Sequence, residues 1–389
     1  MRILFTTVPL PGHFFPLVPL AWACRALGHD VLVATSEDFV SEVLRSGLAA
    51  TAVGPVANLH GLAACGDPDR LAERRYANGR VFAGNAAATL PGVMSLVAAW
   101  RPDLVVSERV EAAGPIAAAA FAVPAAELHW GVAPLAEYHE AADERLAPDL
   151  AALGLATLPR PGLVLNPWPP SLRLSYAAGQ RRMRNVPYDG DSRVPSWLWR
   201  SRDRPRVCLT LGTVLPRLGD DGGTETVLPI VTSLAGLDVD VVIAVDDKIA
   251  ARWPPLPAAV RHAGRMPLSH VLPASDLAIH HGGQGTALTA IGAGRPQLVL
   301  PALDDQFDNA DAVVRSGAGL CLRQEELTPD RMAERCHELL HRPRFARAAT
   351  DLAVELAAQP GLTEVVGELE TLAASGVASN RASREMPAM

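Results

Sequence analysis

Two successive doubly wound α/β units facing each other across a cleft are what this sequence predicts, on three observations. First, short apolar runs alternate with helical stretches from the start. Arg2 to Thr7 is followed by a Gly/Pro turn, the helical run PLVPLAWACRALG closed by Gly28, the strand HDVLVAT and a helix near Ser36 to Ser46. Strands separated by single helices pair in parallel. Second, the texture breaks at NVPYDGDSRVPSWLWRSRDRPR, which is rich in Pro, Asp, Gly and Arg and has no apolar period, as a linker would be. Third, the βα rhythm restarts at once with RVCLTLGT. Each unit is therefore expected to be Rossmann-like, with ligands at the carboxyl ends of its strands.

Each element follows from this frame. In the first unit the pattern recurs at RPDLVVS, an Ala-rich helix to Ala122 and the strand VPAAEL, while roughly residues 55–100 read as a less regular region with helical patches. In the second, DVDVVIAV, DLAIHH, PQLVLP and AGLCLR are strands with helices between them. The final third is helical, broken at Pro343 and near Pro360-Gly361. The expected boundaries are 1–184 for the first domain, 185–204 for the linker, 205–375 for the second domain and 376–389 for a loose polar tail. The last helix is allowed to pack back on the first domain.

Composition removes several function classes. A chain of 389 residues suits two domains, and 49% hydrophobic with 20% charged residues is a globular profile. A net charge of −7, with no basic stretch interleaved with aromatics, argues against nucleic-acid binding. Lys248 is the only lysine, so a P-loop and a Schiff-base lysine elsewhere are excluded. Cys24, Cys65, Cys208, Cys321 and Cys336 are scattered and odd in number, as for reduced thiols of a cytoplasmic protein. No secretory leader is read at the N-terminus, and no charge-free apolar run of about 18 residues is read, so no membrane span is expected. There is no GxSxG elbow and no GxGxxG after the first strand, which leaves a serine hydrolase or a dinucleotide enzyme unsupported.

Three segments carry candidate chemistry. In DLAIHHGGQGTALTAIGAG a strand delivers His280 and His281 into the turn Gly282, Gly283, with a helix starting near Gln284 and running through Gly285 and Thr286. Glycines admit a diphosphate close to free N–H groups at the positive end of the helix dipole, and Thr286 adds a hydroxyl. Adjacent histidines point to opposite faces, so at most one faces the ligand. His280 is the first choice. A turn that binds nothing is the alternative from these residues alone.

The second segment is PGHFFPLVPLA, where His13 lies in the first βα turn, with an unperturbed pKa near 6.5 that suits a general base. Glu108 follows another strand at the same sheet end and is placed to orient the imidazole. A solvated or structural histidine is the bland reading. In the third segment, PALDDQFDNA, Asp305 and Gln306 suit neighbouring sugar hydroxyls. A metal held with Asp304 and Asp308, or a solvated helix start, competes there. HELLH (His337 to His341), with Glu355, matches a zinc-site pattern but lies on a late surface helix away from the cleft. Phe14, Phe15, Trp130, Tyr138 and Trp168 are candidates for an apolar acceptor pocket and equally for core.

In order and spacing, these pieces resemble the family 1 glycosyltransferases, particularly bacterial enzymes that decorate aromatic polyketides and related natural products. The resemblance runs through GHFFPLVPLA, RPDLVVSE, PPSLR (Pro169 to Arg173), the linker, LTLGT, HHGGQGT and DDQ. It implies the GT-B fold, an acceptor in the N-terminal domain and a sugar nucleotide mainly in the C-terminal one. On this likeness His13 is the base and Glu108 its acidic partner, where aspartate is more usual. Gly212 and Thr213 join His280 through Thr286 around the diphosphate, and Asp305 and Gln306 bind sugar hydroxyls. Arg265 and Met266 flank the nucleotide base, although the family often has a tryptophan at Arg265 for stacking.

The resemblance also implies direct displacement with inversion, a TDP-deoxysugar as co-substrate, a polyketide-like aromatic acceptor and no cofactor or metal. The oligomeric state, including a homodimer, stays open, as do O- and C-linkage. A sugar-nucleotide epimerase or hydrolase of the same fold and a non-catalytic auxiliary partner are the rival readings.

Overall fold

The computed structural model describes residues 1–59, 61–62, 70–212 and 224–385. Among these, seven strands form one parallel sheet in the order β3-β2-β1-β4-β5-β6-β7. They are β1 (Arg2–Thr6), β2 (Asp30–Ser36), β3 (Ala50–Gly54), β4 (Leu104–Glu108), β5 (Ala125–Leu128), β6 (Leu163–Asn166) and β7 (Arg181–Arg182). A second parallel sheet has the order β10-β9-β8-β11-β12-β13. Its strands are β8 (Arg206–Thr210), β9 (Asp240–Ala244), β10 (Val260–Gly264), β11 (Leu277–His280), β12 (Gln297–Val299) and β13 (Gly319–Cys321). In each sheet the winding reverses between the first strand and its later neighbour, β1 beside β4 and β8 beside β11. The connections there leave in opposite directions and open a crevice at the carboxyl ends, the place where such folds bind ligands.

Alternation along β1 shows why the strands are apolar throughout. Ile3 and Phe5 face a core shared with Leu104 and Val106, while Leu4 faces the other core with Val105. Both faces are covered by helices, so no polar side is left. The last helix, Leu362–Glu385, packs on the helix Val18–Ala26 of the first unit and contributes Val365, Val366, Leu369 and Ala373 to that core. It continues through Glu385, where a loose tail from 376 was expected.

The segment expected to be irregular contains a single helix, Leu71–Trp100. Its glycines and Pro91 disguise it, and two of those glycines serve packing. A Cβ on Gly79 would lie 2.8 Å from Tyr138 Cα, and one on Gly92 only 2.0 Å from the Val53 carbonyl. The stretch Val81 to Trp100 carries no charged residue, so the expectation that no such run exists is corrected. The helix is long and apolar enough to cross a membrane by length and composition. In the structure Phe82, Ala83, Ala86, Leu90, Val93 and Val97 are buried in the protein.

Candidate active site

His13 sits in the short helix Pro11–Phe14 directly beyond β1, where Pro11 presets the first helical turn. Glu108 is the last residue of β4, which pairs with β1. The two side chains meet with His13 Nδ1 3.1 Å from Glu108 Oε2, at an angle short of a well-aligned hydrogen bond. Such contacts often tighten only when substrate is bound. Oε2 also accepts from Val110 N at 3.0 Å and from Trp130 Nε1 at 2.8 Å. Burial pushes the Glu108 carboxyl up, but the His13 charge and these donors outweigh it and hold it below the usual range. The anion is thus kept where an imidazolium would need it. Trp130 meets the His13 ring edge-on at 5.0 Å and Phe82 tilts against it at 5.4 Å. With Nδ1 turned to the carboxylate, Nε2 is the nitrogen left for an acceptor.

Across the crevice, β11 ends at His280 and the helix Gln284–Gly292 begins four residues on. The structure corrects the choice between the two histidines. His280 is fully buried: its Nε2 lies 2.8 Å from Gln297 Oε1, and its Nδ1 accepts from Gly282 N at 3.0 Å. Burial pushes its pKa to about 4, so it is a neutral strut that shapes the turn. His281 lines the cleft instead, and burial pushes it to about 3. Its ring fills the space that side chains at Gly212 and Gly283 would take, since a Cβ there would come within 2.5 and 2.4 Å of it. Gly282 has φ +89 and lies against the Gln306 carbonyl, so it needs glycine on both counts.

A cavity of about 330 Å³ lies at this turn. Its walls include Gly12 and Phe15 from the first unit, Tyr188, Asp189 and Ser192 from the linker, and Gly212, Arg265, Met266, His281, Gly283, Gln284, Gly285 and Thr286 from the second. Arg265 is held at the rim by Asp191, 2.8 Å from its Nη2, and its backbone N–H donates to Asp247 Oδ1 at 2.7 Å. Thr213 lies outside the described residues. Tyr188 and Asp189 were missed in the sequence because their Pro/Asp/Gly surroundings read as solvent-exposed linker. Asp189 is in fact anchored to Ser269 N at 3.2 Å, which brings the linker over the cavity.

Asp305 and Gln306 do not line this cavity. Asp305 accepts from Asn309 Nδ2 at 2.7 Å, and burial pushes its pKa to about 6. The Gln306 amide oxygen is engaged by Ala302 N and Leu303 N, each at 3.0 Å, so it folds its own loop. Asp304 and Asp308 reach the first unit: Asp304 Oδ2 accepts from Asn78 and the Tyr138 hydroxyl, both at 2.8 Å, and Asp308 pairs with Arg75. In HELLH, Glu338 is bound by Arg335, Arg342 and Arg344, and Glu355 accepts from Ser171 N at 2.9 Å.

Most of the acceptor-pocket candidates take other places. Phe14 is fully buried in the first core, and Trp168 is fully buried with its indole N–H on Gln284 Oε1 at 2.7 Å. Phe15 lines the cavity at the turn, and Trp130 supports the dyad. Tyr138 remains a wall residue, of a second cavity of about 340 Å³ that Phe82, Arg109 and Val110 also line. His13 itself lines neither cavity; its neighbour Gly12 lines the first, and Phe82, which tilts against its ring, lines the second.

Two doubly wound domains, with a histidine–carboxylate pair on one side of the crevice and a glycine-rich helix N-terminus on the other, have the GT-B architecture. The chain belongs to the erythromycin biosynthesis protein CIII-like family, whose N-terminal domain matches residues 70–212 and whose C-terminal domain matches 229–372. It is 41% identical over 341 residues to the L-demethylnoviosyl transferase of Streptomyces niveus, covering 86% of this chain and 89% of that one. A Streptomyces sp. SF2575 glycosyltransferase complexed with thymidine diphosphate superposes with a TM-score of 0.83 at 34% identity, covering 95% and 99% of the two chains. Spinosyn rhamnosyltransferase complexed with thymidine diphosphate superposes with a TM-score of 0.85 at 32% identity, covering 95% and 100%. The same rhamnosyltransferase is also known complexed with spinosyn aglycone. The protein is a natural-product tailoring enzyme of the hexosyltransferase type.

Proposed function

We propose that this enzyme moves a deoxysugar from a thymidine diphosphate donor to a polyketide-like aglycone, with inversion at the anomeric carbon and without a metal. The observation that carries the reading is the His13–Glu108 contact of 3.1 Å at the strand end facing the glycine-rich turn. His13 Nε2 takes the proton of the acceptor hydroxyl as its oxygen bonds to the anomeric carbon. The bond from that carbon to the diphosphate breaks in the same step. Attack from the base side with departure toward the turn inverts the centre. Ionised Glu108 stabilises the imidazolium formed.

Charge growing on the leaving diphosphate meets the N–H groups and dipole of the helix Gln284–Gly292, with neutral His281 beside them. Those donors do what a divalent ion would otherwise do, and Asp304 and Asp308 are already bound to Arg75, Asn78 and Tyr138. Activity is therefore expected to survive EDTA. The aglycone is assigned to the Phe82 and Tyr138 side of His13. Among the described residues Cys24, Cys208, Cys321 and Cys336 are free, which fits work in the cytoplasm.

The test is a mass-spectrometric screen of TDP-sugars against aromatic and macrolide acceptors, with the product's anomeric configuration read by NMR. A glycoside of configuration opposite to the donor is expected. Retained configuration would overturn the displacement, and turnover of donor without acceptor would favour an epimerase or hydrolase.

A further inference from the structure

The segment Trp130 to Pro134 is gripped from both domains. From the first, Arg109 donates to Trp130 O at 2.9 Å and also to Pro134 O. From the second, Gln284 Oε1 accepts from Gly131 N at 2.8 Å and Asn309 Oδ1 from Val132 N at 3.0 Å. Gly131 has φ +69, and a Cβ there would lie 3.0 Å from Asp305, so the backbone is seated directly on the second domain.

Two side chains at this seam each face the chemistry. The Trp130 indole N–H is bonded to Glu108, the partner of His13. Gln284 Oε1 receives two obligate donors, Gly131 N and Trp168 Nε1, and this fixes which end of the amide is oxygen. Its Nε2 is consequently the other end, buried and without a partner among the described residues, in a residue that lines the cavity at the turn. A buried donor left unmade is costly until an acceptor arrives, and a phosphate or sugar oxygen of the donor is such an acceptor.

We propose that Gln284 and Trp130 are positioning residues linked through the Trp130–Gly131 peptide, so that filling the donor cavity and aligning the His13–Glu108 pair are one coupled event. The amide is planar, so an oxygen that fixes Nε2 also fixes Oε1 and with it the Gly131 N–H. Trp130 is the next residue, and its indole holds the carboxylate. The inference rests on the donor and base assignments proposed above. Coupling of this kind is reciprocal, so a change at Trp130, outside the donor cavity, must be felt by the nucleotide.

The experiment is calorimetric titration of TDP into the wild type, Trp130→Phe, Gln284→Ala and the double variant, with thermal melting to verify folding. Trp130→Phe should weaken TDP by roughly fivefold, the low end of ordinary coupling, and the double variant should bind no more weakly than Gln284→Ala alone. Gln284→Glu keeps an acceptor for Gly131 and Trp168 while removing the N–H donor. It should bind TDP weakly and, with no N–H left for a ligand oxygen to hold, should no longer respond to Trp130→Phe. Unchanged affinity in Trp130→Phe, or single effects that simply multiply in the double variant, overturns the coupling. A wild type that binds neither TDP nor UDP overturns the donor assignment and this inference together. Normal TDP binding with full transfer by His13→Ala overturns the base assignment instead.

Discussion

At the residue scale, burial decides which side chains act and which only support. Sequence alternation turns the pair at positions 280 and 281 to opposite faces, but it is blind to which one lines the cavity. Gln297, on the neighbouring strand, receives His280 and turns it inward. The same blindness applies to Trp168 and Gln306, whose polar atoms are consumed by partners distant in sequence or by their own loop. His13 and Glu108 are legible because each directly follows or ends a strand at the switch point, where topology alone brings them together.

Glu111 supplies a test of how strongly this interior penalises charge. It is buried beside Thr6, accepts from Ala113 N and Gly114 N at 2.9 Å, and burial raises its pKa to about 7. The folded protein therefore holds a proton on Glu111 that the unfolded chain releases near pH 4.5, and this residue's contribution to stability falls as pH rises through the window from there to about 7. Glu111→Gln has no such loss. Its stability relative to wild type should improve between pH 5 and pH 8 by roughly 1–3 kcal/mol, read by urea unfolding at both pH values. A pH-independent difference would contradict the account.

At the element scale, the strands that sequence reading recovers are mostly the central, doubly covered ones, with the edge strand β13 the exception. Those it passes over lie at or near sheet edges, such as β3, β7 and β10, where alternation is weak and polar residues such as Arg261 and His262 are tolerated. The helix Leu71–Trp100 is hidden for a different reason. Glycine normally argues against helix, yet here it lets the helix approach β3 and the helix Ala136–Ala152 at backbone distance. Gly92→Ala should accordingly destabilise the protein, although alanine is the better helix former. A loss of about 1–3 kcal/mol is expected from overpacking against the Val53 carbonyl. A gain in the urea midpoint would mean that propensity outweighs the contact.

At the scale of the whole molecule, the chain's order is not its architecture. The C-terminal helix closes the N-terminal core, and Leu369 is fully buried there beside residues of β1 and β4. Leu369→Ala should cost roughly 2–5 kcal/mol and lower the melting of the first domain. An effect confined to the second domain would show that the helix belongs elsewhere. The linker contact between Asp189 and Ser269 and the seam at Trp130 to Pro134 likewise tie segments distant in sequence to the second domain.

The central claim is that His13 is the base for transfer from a donor held across that crevice. The most direct measurement is the transfer rate of His13→Ala, with TDP affinity determined on the same preparation. The variant should bind TDP within about twofold of wild type, since His13 does not line the donor cavity, while kcat falls by roughly 10²–10⁴. Near-normal transfer with intact TDP binding would contradict it.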